Sequence, residues 1–111
     1  MSAVDDTIRL QHMLEAALKI RRFARHRSAA ELKDNELFAL GVTRLLEIIG
    51  EAASHISETT CAEMPDIPWS HVVGMRKRLI HGHDVIDLDI LWKTITDDLP
   101  PLIKVLRKKL T

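Results

Sequence analysis

The run Met75-Arg76-Lys77-Arg78-Leu79-Ile80-His81-Gly82-His83-Asp84 puts three cations and two imidazoles within eight residues, the densest polar cluster of a 111-residue chain. Histidine titrates near neutral pH and can move protons. Arginine stays charged and offers a planar fork of donors that fits phosphate oxygens. Together they meet the needs of RNA phosphodiester cleavage: a base for the 2′-hydroxyl proton, an acid for the leaving oxygen, and a cation for the negative charge that develops between them. Such chemistry requires no metal. The pair in question is Arg76 and His81. One of each per chain is a thin set, which a symmetric dimer would double. At about 100° per residue, an ideal helix sets Arg76 and His81 about 140° apart, so spacing alone does not make them converge. Convergence would have to come from the length of arginine and a change of backbone direction at Gly82. An arginine and a histidine near a helix end can equally just satisfy carbonyls and complement the helix dipole.

Other candidates are weaker. His81-Gly82-His83-Asp84 resembles part of a zinc site, but a tetrahedral set needs more ligands, and His71 is the nearest extra histidine. Neither a metal nor another cofactor is expected. His12, His26 and His55 have no partner pattern and read as surface or interface residues. Glu47 and Glu51 share one helix face four residues apart. Paired carboxylates can do acid–base work, yet solvated or ion-paired glutamates are the simpler reading, and Glu51 is placed to orient an arginine. Trp69 and Trp92 read as core or interface anchors. The lone Cys61 reads as a small packing residue; a single cysteine cannot close an internal disulfide, which fits a reducing compartment.

The elements that must position these residues are helical. Asp5 or Asp6 can cap a first helix, in which Leu10, Met13, Leu14, Ala17 and Ala24 recur at helical spacing. That helix runs out in Arg21, Arg22, Arg25 and Arg27, which read as a solvated end facing the exposed carbonyls. Ser28 or Asp34 can start a second helix with a stripe of Phe38, Val42, Leu45, Ile49, Ala52 and Ile56, widened by Leu37, Leu46, Ile48 and Ala53. So wide an apolar arc must touch more than one neighbour. Gly41 and Gly50 each cost this helix about 1 kcal/mol against alanine, and close packing is the expected reason for both.

From Ser57 to Pro68 the chain reads as a loop with room for one helical turn. Pro68 suits the first turn of a third helix carrying Val72, Val73, Met75, Leu79 and Ile80, with Gly82 as its stop. Asp87 caps a last helix running to Leu110, and Pro100-Pro101 predicts a kink or restart within it. No stretch alternates with period two for long enough to argue a strand. The expectation is an all-α bundle of four to five helices in a single domain, residues 1–111.

Sixteen basic and sixteen acidic residues cancel, so no global field draws the chain to nucleic acid. RNA binding would need a local patch or a dimer groove. A start of Met-Ser-Ala-Val-Asp-Asp lacks the order of a signal peptide, and no apolar run nears the roughly 18 residues of a membrane span. A cytoplasmic protein is expected.

Arg76, four residues, then His81 match the Arg-x4-His motif of HEPN domains. The likeness extends through Glu47-Ile-Ile-Gly-Glu-Ala-Ala53, Ile67-Pro-Trp69, Val73-Gly-Met-Arg76, Leu79-Ile-His81, Val85-Ile-Asp-Leu88 and Asp98-Leu-Pro-Pro-Leu-Ile103, in family order. Over nearly its whole length the chain resembles the HepT-type HEPN ribonuclease toxins. The resemblance implies a homodimeric helical bundle whose Arg-His motifs face a shared cleft. It implies a metal-independent endoribonuclease acting on RNA such as tRNA or mRNA, as the toxin of a prokaryotic toxin–antitoxin pair. By position, His81 becomes the proton-transfer residue and Arg76 the phosphate-binding one, with Lys77, Arg78 and His83 as further RNA or phosphate contacts and Glu51 in support. The partner implied is a minimal nucleotidyltransferase of the MNT type, which neutralises such toxins by adenylylating a tyrosine. The alternative is a catalytically silent HEPN scaffold that binds the nucleotidyltransferase, nucleotide or RNA without cutting.

Two departures bear on this. The family motif continues His-x-Tyr, but here the third position is His83 and these 111 residues contain no tyrosine. Tyrosine adenylylation is therefore impossible on this sequence, which leaves neutralisation by simple binding, by another acceptor, or not at all. After the motif arginine the family commonly has Asn or Asp. Here Lys77 either adds a phosphate contact or repels Arg76.

Overall fold

A computed structural model describes residues 3–81 and 85–111 of the chain. Helix α1 (Ala3–Ala24) is the longest element. The short α2 (Ala29–Asp34) and the long α3 (Glu36–Ser54) follow it. Next come α4 (Glu58–Glu63), α5 (Trp69–Val73) and α6 (Met75–Leu79). After α6, β1 (Ile80–His81) pairs antiparallel with β2 (Val85–Ile86), Ile80 opposite Ile86 and His81 opposite Val85. The chain ends in α7 (Leu88–Lys93), a π-helical turn (Thr94–Asp98) and α8 (Leu99–Leu110), which follow one another without a break. The expected all-α bundle is present: α1, α3, the α5–α6 segment and the α7–α8 segment are its four main members, with the short helices α2 and α4 in the connections between them. Among the described residues no helix is long and apolar enough to cross a membrane.

The core forms where α1 lies along α3 and α8. Leu10, Met13 and Ile20 of α1, Leu46 and Ile49 of α3, and Leu99 and Leu106 of α8 are fully buried. Their spacing by three and seven is what puts each set on one face. Leu79, Leu91 and Ile95 extend the same core under the site segment. Removing a side chain such as Leu46 to alanine would cost about 3 kcal/mol by the usual sum of lost burial and cavity.

Several helix ends differ from the sequence reading. Neither Asp5 nor Asp6 caps α1; both lie in its first turn. Asp6 is buried instead and accepts hydrogen bonds from the Ser57 hydroxyl (2.6 Å), the Thr60 hydroxyl (2.6 Å) and the Ser57 N–H (3.1 Å). The hydroxyl bonds from Ser57 and Thr60, which favour the ionised carboxylate, hold its pKa below the ordinary range. The clasp ties the start of α1 to the start of α4. Ser28 and Asp34 do not compete for one helix start. Ser28 begins α2, its N–H donating to the Glu31 carboxylate at 3.3 Å, and Asn35 caps α3 by accepting from the Phe38 N–H at 3.0 Å.

The third helix is not continuous. It breaks at Gly74, whose N–H donates to the Ser70 carbonyl, and it stops at Leu79, before Gly82. Gly82 itself lies outside the described residues. Close packing explains Gly50: a Cβ there would stand 3.1 Å from the Val72 carbonyl of α5. It does not explain Gly41, which faces open space. Asp87 does cap α7, accepting from the Ile90 N–H at 3.0 Å. The expected irregularity before Pro100 and Pro101 takes the form of the π-helical turn.

Candidate active site

Arg76 is the second residue of α6, its side chain 71% exposed. Its Nε lies 3.4 Å from the Glu47 carboxylate of α3. Arg44, one helical turn earlier, reaches the same oxygen at 4.0 Å. The Gly50 contact explains why this meeting is possible. With no side chain at position 50, the backbone of α5 comes within touching distance of α3, and α6 follows directly from α5. Arg44, Glu47, Gly50, Glu51, Ser54, Val73 and Arg76 line a cleft of about 290 Å³ between these helices.

Glu51 lines that cleft, but among the described residues the carboxylate paired with Arg76 is Glu47. One side of Glu51 also borders a second shallow cleft with Arg9, His12, Ile48 and His55. Glu47 and Glu51 thus share a helix face, as their spacing requires, and the nearer one forms the ion pair. Arg44 carried no chemical signal of its own in the sequence. Its position, three residues before Glu47 and seven before Glu51 on a helix, was the available clue.

The other site residues are placed unequally. Lys77 is exposed on α6. Arg78 turns back along the chain, and its guanidinium donates to the His71 carbonyl at 2.7 Å. His71 in turn has its Nε2 3.6 Å from the Asp98 carboxylate, which links α5 to the π-helical turn. His81 has its backbone in β1, so the 140° separation of an ideal helix does not apply to it. The His81 side chain, with His83 and Asp84 and the zinc-like grouping they would make, lies outside the described residues. Among the described residues no three His, Cys, Asp or Glu side chains come together as metal ligands.

Both tryptophans pack half-buried against the core, and the Trp69 indole donates to the Met64 carbonyl at 3.1 Å. Cys61 is half-buried beside the core, where burial first, then the Asp6 and Glu58 charges, push its thiol pKa up. That environment suits packing rather than nucleophilic chemistry.

The fold and the cleft together define a class of all-helical bundle with an exposed, carboxylate-paired arginine between α3 and α6. Comparison with known proteins narrows the class. The family described as ribonuclease HepT-like matches residues 13–108, and the chain belongs to it. It is 36% identical over 104 residues to a Methanocaldococcus jannaschii protein provisionally named an RNase, covering 94% of this chain and 95% of that one. It is also 36% identical over 93 residues to a Thermococcus cleftensis protein provisionally named ribonuclease HepT, with 84% of each chain covered. No solved structure matches it.

Proposed function

We propose that the chain is a metal-independent endoribonuclease toxin that cuts RNA with Arg76 and His81 of two subunits facing one cleft. Arg76 is the phosphate-binding group and His81 the proton-transfer group. The 2′-oxygen bonds to phosphorus as its proton passes to an imidazole, the P–O5′ bond breaks, and a proton from the second imidazole completes the leaving hydroxyl. The products are a 2′,3′-cyclic phosphate and a 5′-hydroxyl, so atoms and charge balance without a metal. The guanidinium stabilises the charge that gathers on the non-bridging oxygens.

The observation that carries this reading is the Arg76–Glu47 pair at the cleft mouth, in a chain of the HepT-like family. A carboxylate at 3.4 Å fixes where the arginine stands while most of its surface stays open to a ligand. Lys77, exposed on the same helix, adds a cation for the neighbouring phosphate, and His83 follows it in sequence. Arg78 contributes charge from its place against α5. Glu51 supports the cleft wall.

Support for a homodimer comes from the outer face of α3. Leu37 is 81% exposed and Leu40 is 49% exposed, and helical spacing puts them on the face that carries Arg44, Glu47 and Glu51. An apolar surface running into the site is suited to a second copy, and a two-fold axis there brings two Arg76 side chains to one groove. In the cell the natural partner is an MNT-type nucleotidyltransferase antitoxin. Without a tyrosine, it acts on this chain by binding or through another acceptor.

The test expresses wild type, Arg76→Ala and His81→Ala and follows growth and RNA decay. Loss of toxicity in both variants is expected; equal toxicity in all three removes these residues from the mechanism. One observation favours the silent scaffold instead: Glu47 already occupies the arginine a phosphate would need. That reading predicts a purified dimer that leaves a broad RNA panel intact while holding RNA or the nucleotidyltransferase.

A further inference from the structure

A larger cleft lies elsewhere on the molecule, where the end of α1 meets α7, the π-helical turn and α8. Its volume is about 650 Å³, and Arg21, Arg22, Arg25, Arg27, Arg107 and Trp92 are among its lining residues. Among the described residues no aspartate or glutamate lines it. In a chain of zero net charge, five guanidiniums gathered here leave a matching acidic excess over the rest of the molecule. The charge is a local feature of the fold, invisible in the total.

The cleft is built rather than accidental. In the π-helical turn the Leu99 N–H bonds to the Thr94 carbonyl, and Pro100 has no N–H to give. The Ile95 carbonyl is left without its helical donor, and the Arg21 guanidinium fills the gap at 3.2 Å. That bond fastens the end of α1 to the wall of the cleft. The turn after α1 then passes through His26 in the left-handed region (φ 64°), which carries Arg25 and Arg27 round the same opening. Among the described residues only Arg27 of the five is ion-paired, with Glu31 at 3.3 Å. Arg25 and Arg107 have no ion pair among the described residues.

We propose that this cleft is a docking site for the sugar-phosphate backbone of single-stranded RNA, with Arg22, Arg25 and Arg107 on phosphates and Trp92 stacking on a base. Guanidinium forks match phosphate oxygens, and an aromatic face within a cationic groove is the arrangement that holds a single strand without reading its sequence. Carboxylates would satisfy the arginines equally well. The half-buried indole among them favours a ligand with flat bases over an acidic peptide. The choice of RNA rests on the ribonuclease reading of the chain, but the cleft does not depend on Arg76 or His81.

The test measures binding of a short fluorescein-labelled oligouridylate to the full-length protein by anisotropy across a salt series. For Arg25→Ala/Arg107→Ala the affinity is expected to fall about tenfold, and the slope of log K against log salt to shrink by about 1.4, as for two lost phosphate contacts. With Trp69→Phe leaving Trp92 as the sole tryptophan, the RNA is expected to quench its fluorescence, and polyglutamate of equal charge is not. Unchanged affinity and slope in the double variant, or equal quenching by polyglutamate, overturns the proposal. Circular dichroism confirms that the double variant is folded. If wild type binds RNA but never cuts it, the ribonuclease reading fails while the cleft stands; if it cuts RNA and the double variant binds normally, the reverse holds.

Discussion

The two clefts differ in how they treat arginine. At the α3–α6 cleft a single guanidinium, Arg76, is held 3.4 Å from a carboxylate in a space of about 290 Å³. At the α1–α8 cleft five guanidiniums share about 650 Å³, and among the described residues no carboxylate lines it. A cation meant to hold a polyanion gains from numbers and from the absence of competing acids. A cation meant to meet one phosphorus at one moment gains from being fixed in place, even by a partner that dilutes its charge. The α3–α6 arrangement suits turnover, the α1–α8 arrangement retention. On the two proposals, the same residue type is put to two uses by what stands beside it.

The largest expected effect separates those uses directly. Arg76→Ala should lower kcat for RNA cleavage by about 10²–10³, the usual loss for one donor aimed at developing charge, and change RNA affinity by no more than about threefold, the share of one phosphate contact. Arg25→Ala/Arg107→Ala should do the opposite, raising KM about tenfold and sparing kcat. Steady-state kinetics on a fluorogenic RNA checks both. If both variants lower kcat alone, the division between the clefts is wrong.

Next in size is a change to the packing on which only one cleft depends. Gly50→Val adds a branched side chain where even a Cβ would stand 3.1 Å from the Val72 carbonyl. Separating α3 from α5 should cost about 2 kcal/mol, read as a lowered urea midpoint. It should also weaken cleavage while the salt dependence of RNA binding stays as in wild type. A loss of both would mean that the two clefts are coupled through the core.

How far the sequence foretold this contrast depends on the kind of signal. The bundle was legible because Leu10, Met13, Leu46, Ile49, Leu99 and Leu106 recur at spacings that only a helix places on one face. The pairing of Ile80 with Ile86 was not, since two residues carry no readable alternation. Asp6 reads as a cap because local spacing says nothing about Ser57 and Thr60, which meet it from about fifty residues away. Arg76 stood out by type and spacing; its partner Glu47 could be placed on a helix face but not against that arginine. The arginines from Arg21 to Arg27 read as a solvated helix end because nothing local announces Trp92 or Arg107. Only the packing of α1 on α8, and the carbonyl freed ahead of Pro100, makes a cleft of them.

A smaller effect sharpens the role of the carboxylate. Glu47→Gln keeps the shape of the cleft and removes the charge that fixes Arg76. Exposed ion pairs contribute only about 0–1 kcal/mol, so stability should barely move. The kcat should fall about tenfold as the arginine loses its place, with KM nearly constant. A rise in activity would show instead that Glu47 competes with the phosphate, which is what the silent-scaffold reading requires.

The smallest expected effect lies at the other cleft, in the turn that carries its arginines. His26 holds φ at 64°, a conformation that costs an L-residue roughly 1–2 kcal/mol and glycine almost nothing. His26→Gly relieves that strain but loosens the unfolded chain by roughly 0.5–1 kcal/mol, so a net gain of about 0.5 kcal/mol is expected in denaturant melts. The arginines should keep their positions, because the Arg21 bond to the Ile95 carbonyl holds the end of α1 independently of the turn. RNA affinity near neutral pH should then stay within about twofold of wild type. A tenfold loss would make the imidazole itself a ligand contact, and this cleft would no longer work through guanidinium charge and one aromatic face alone.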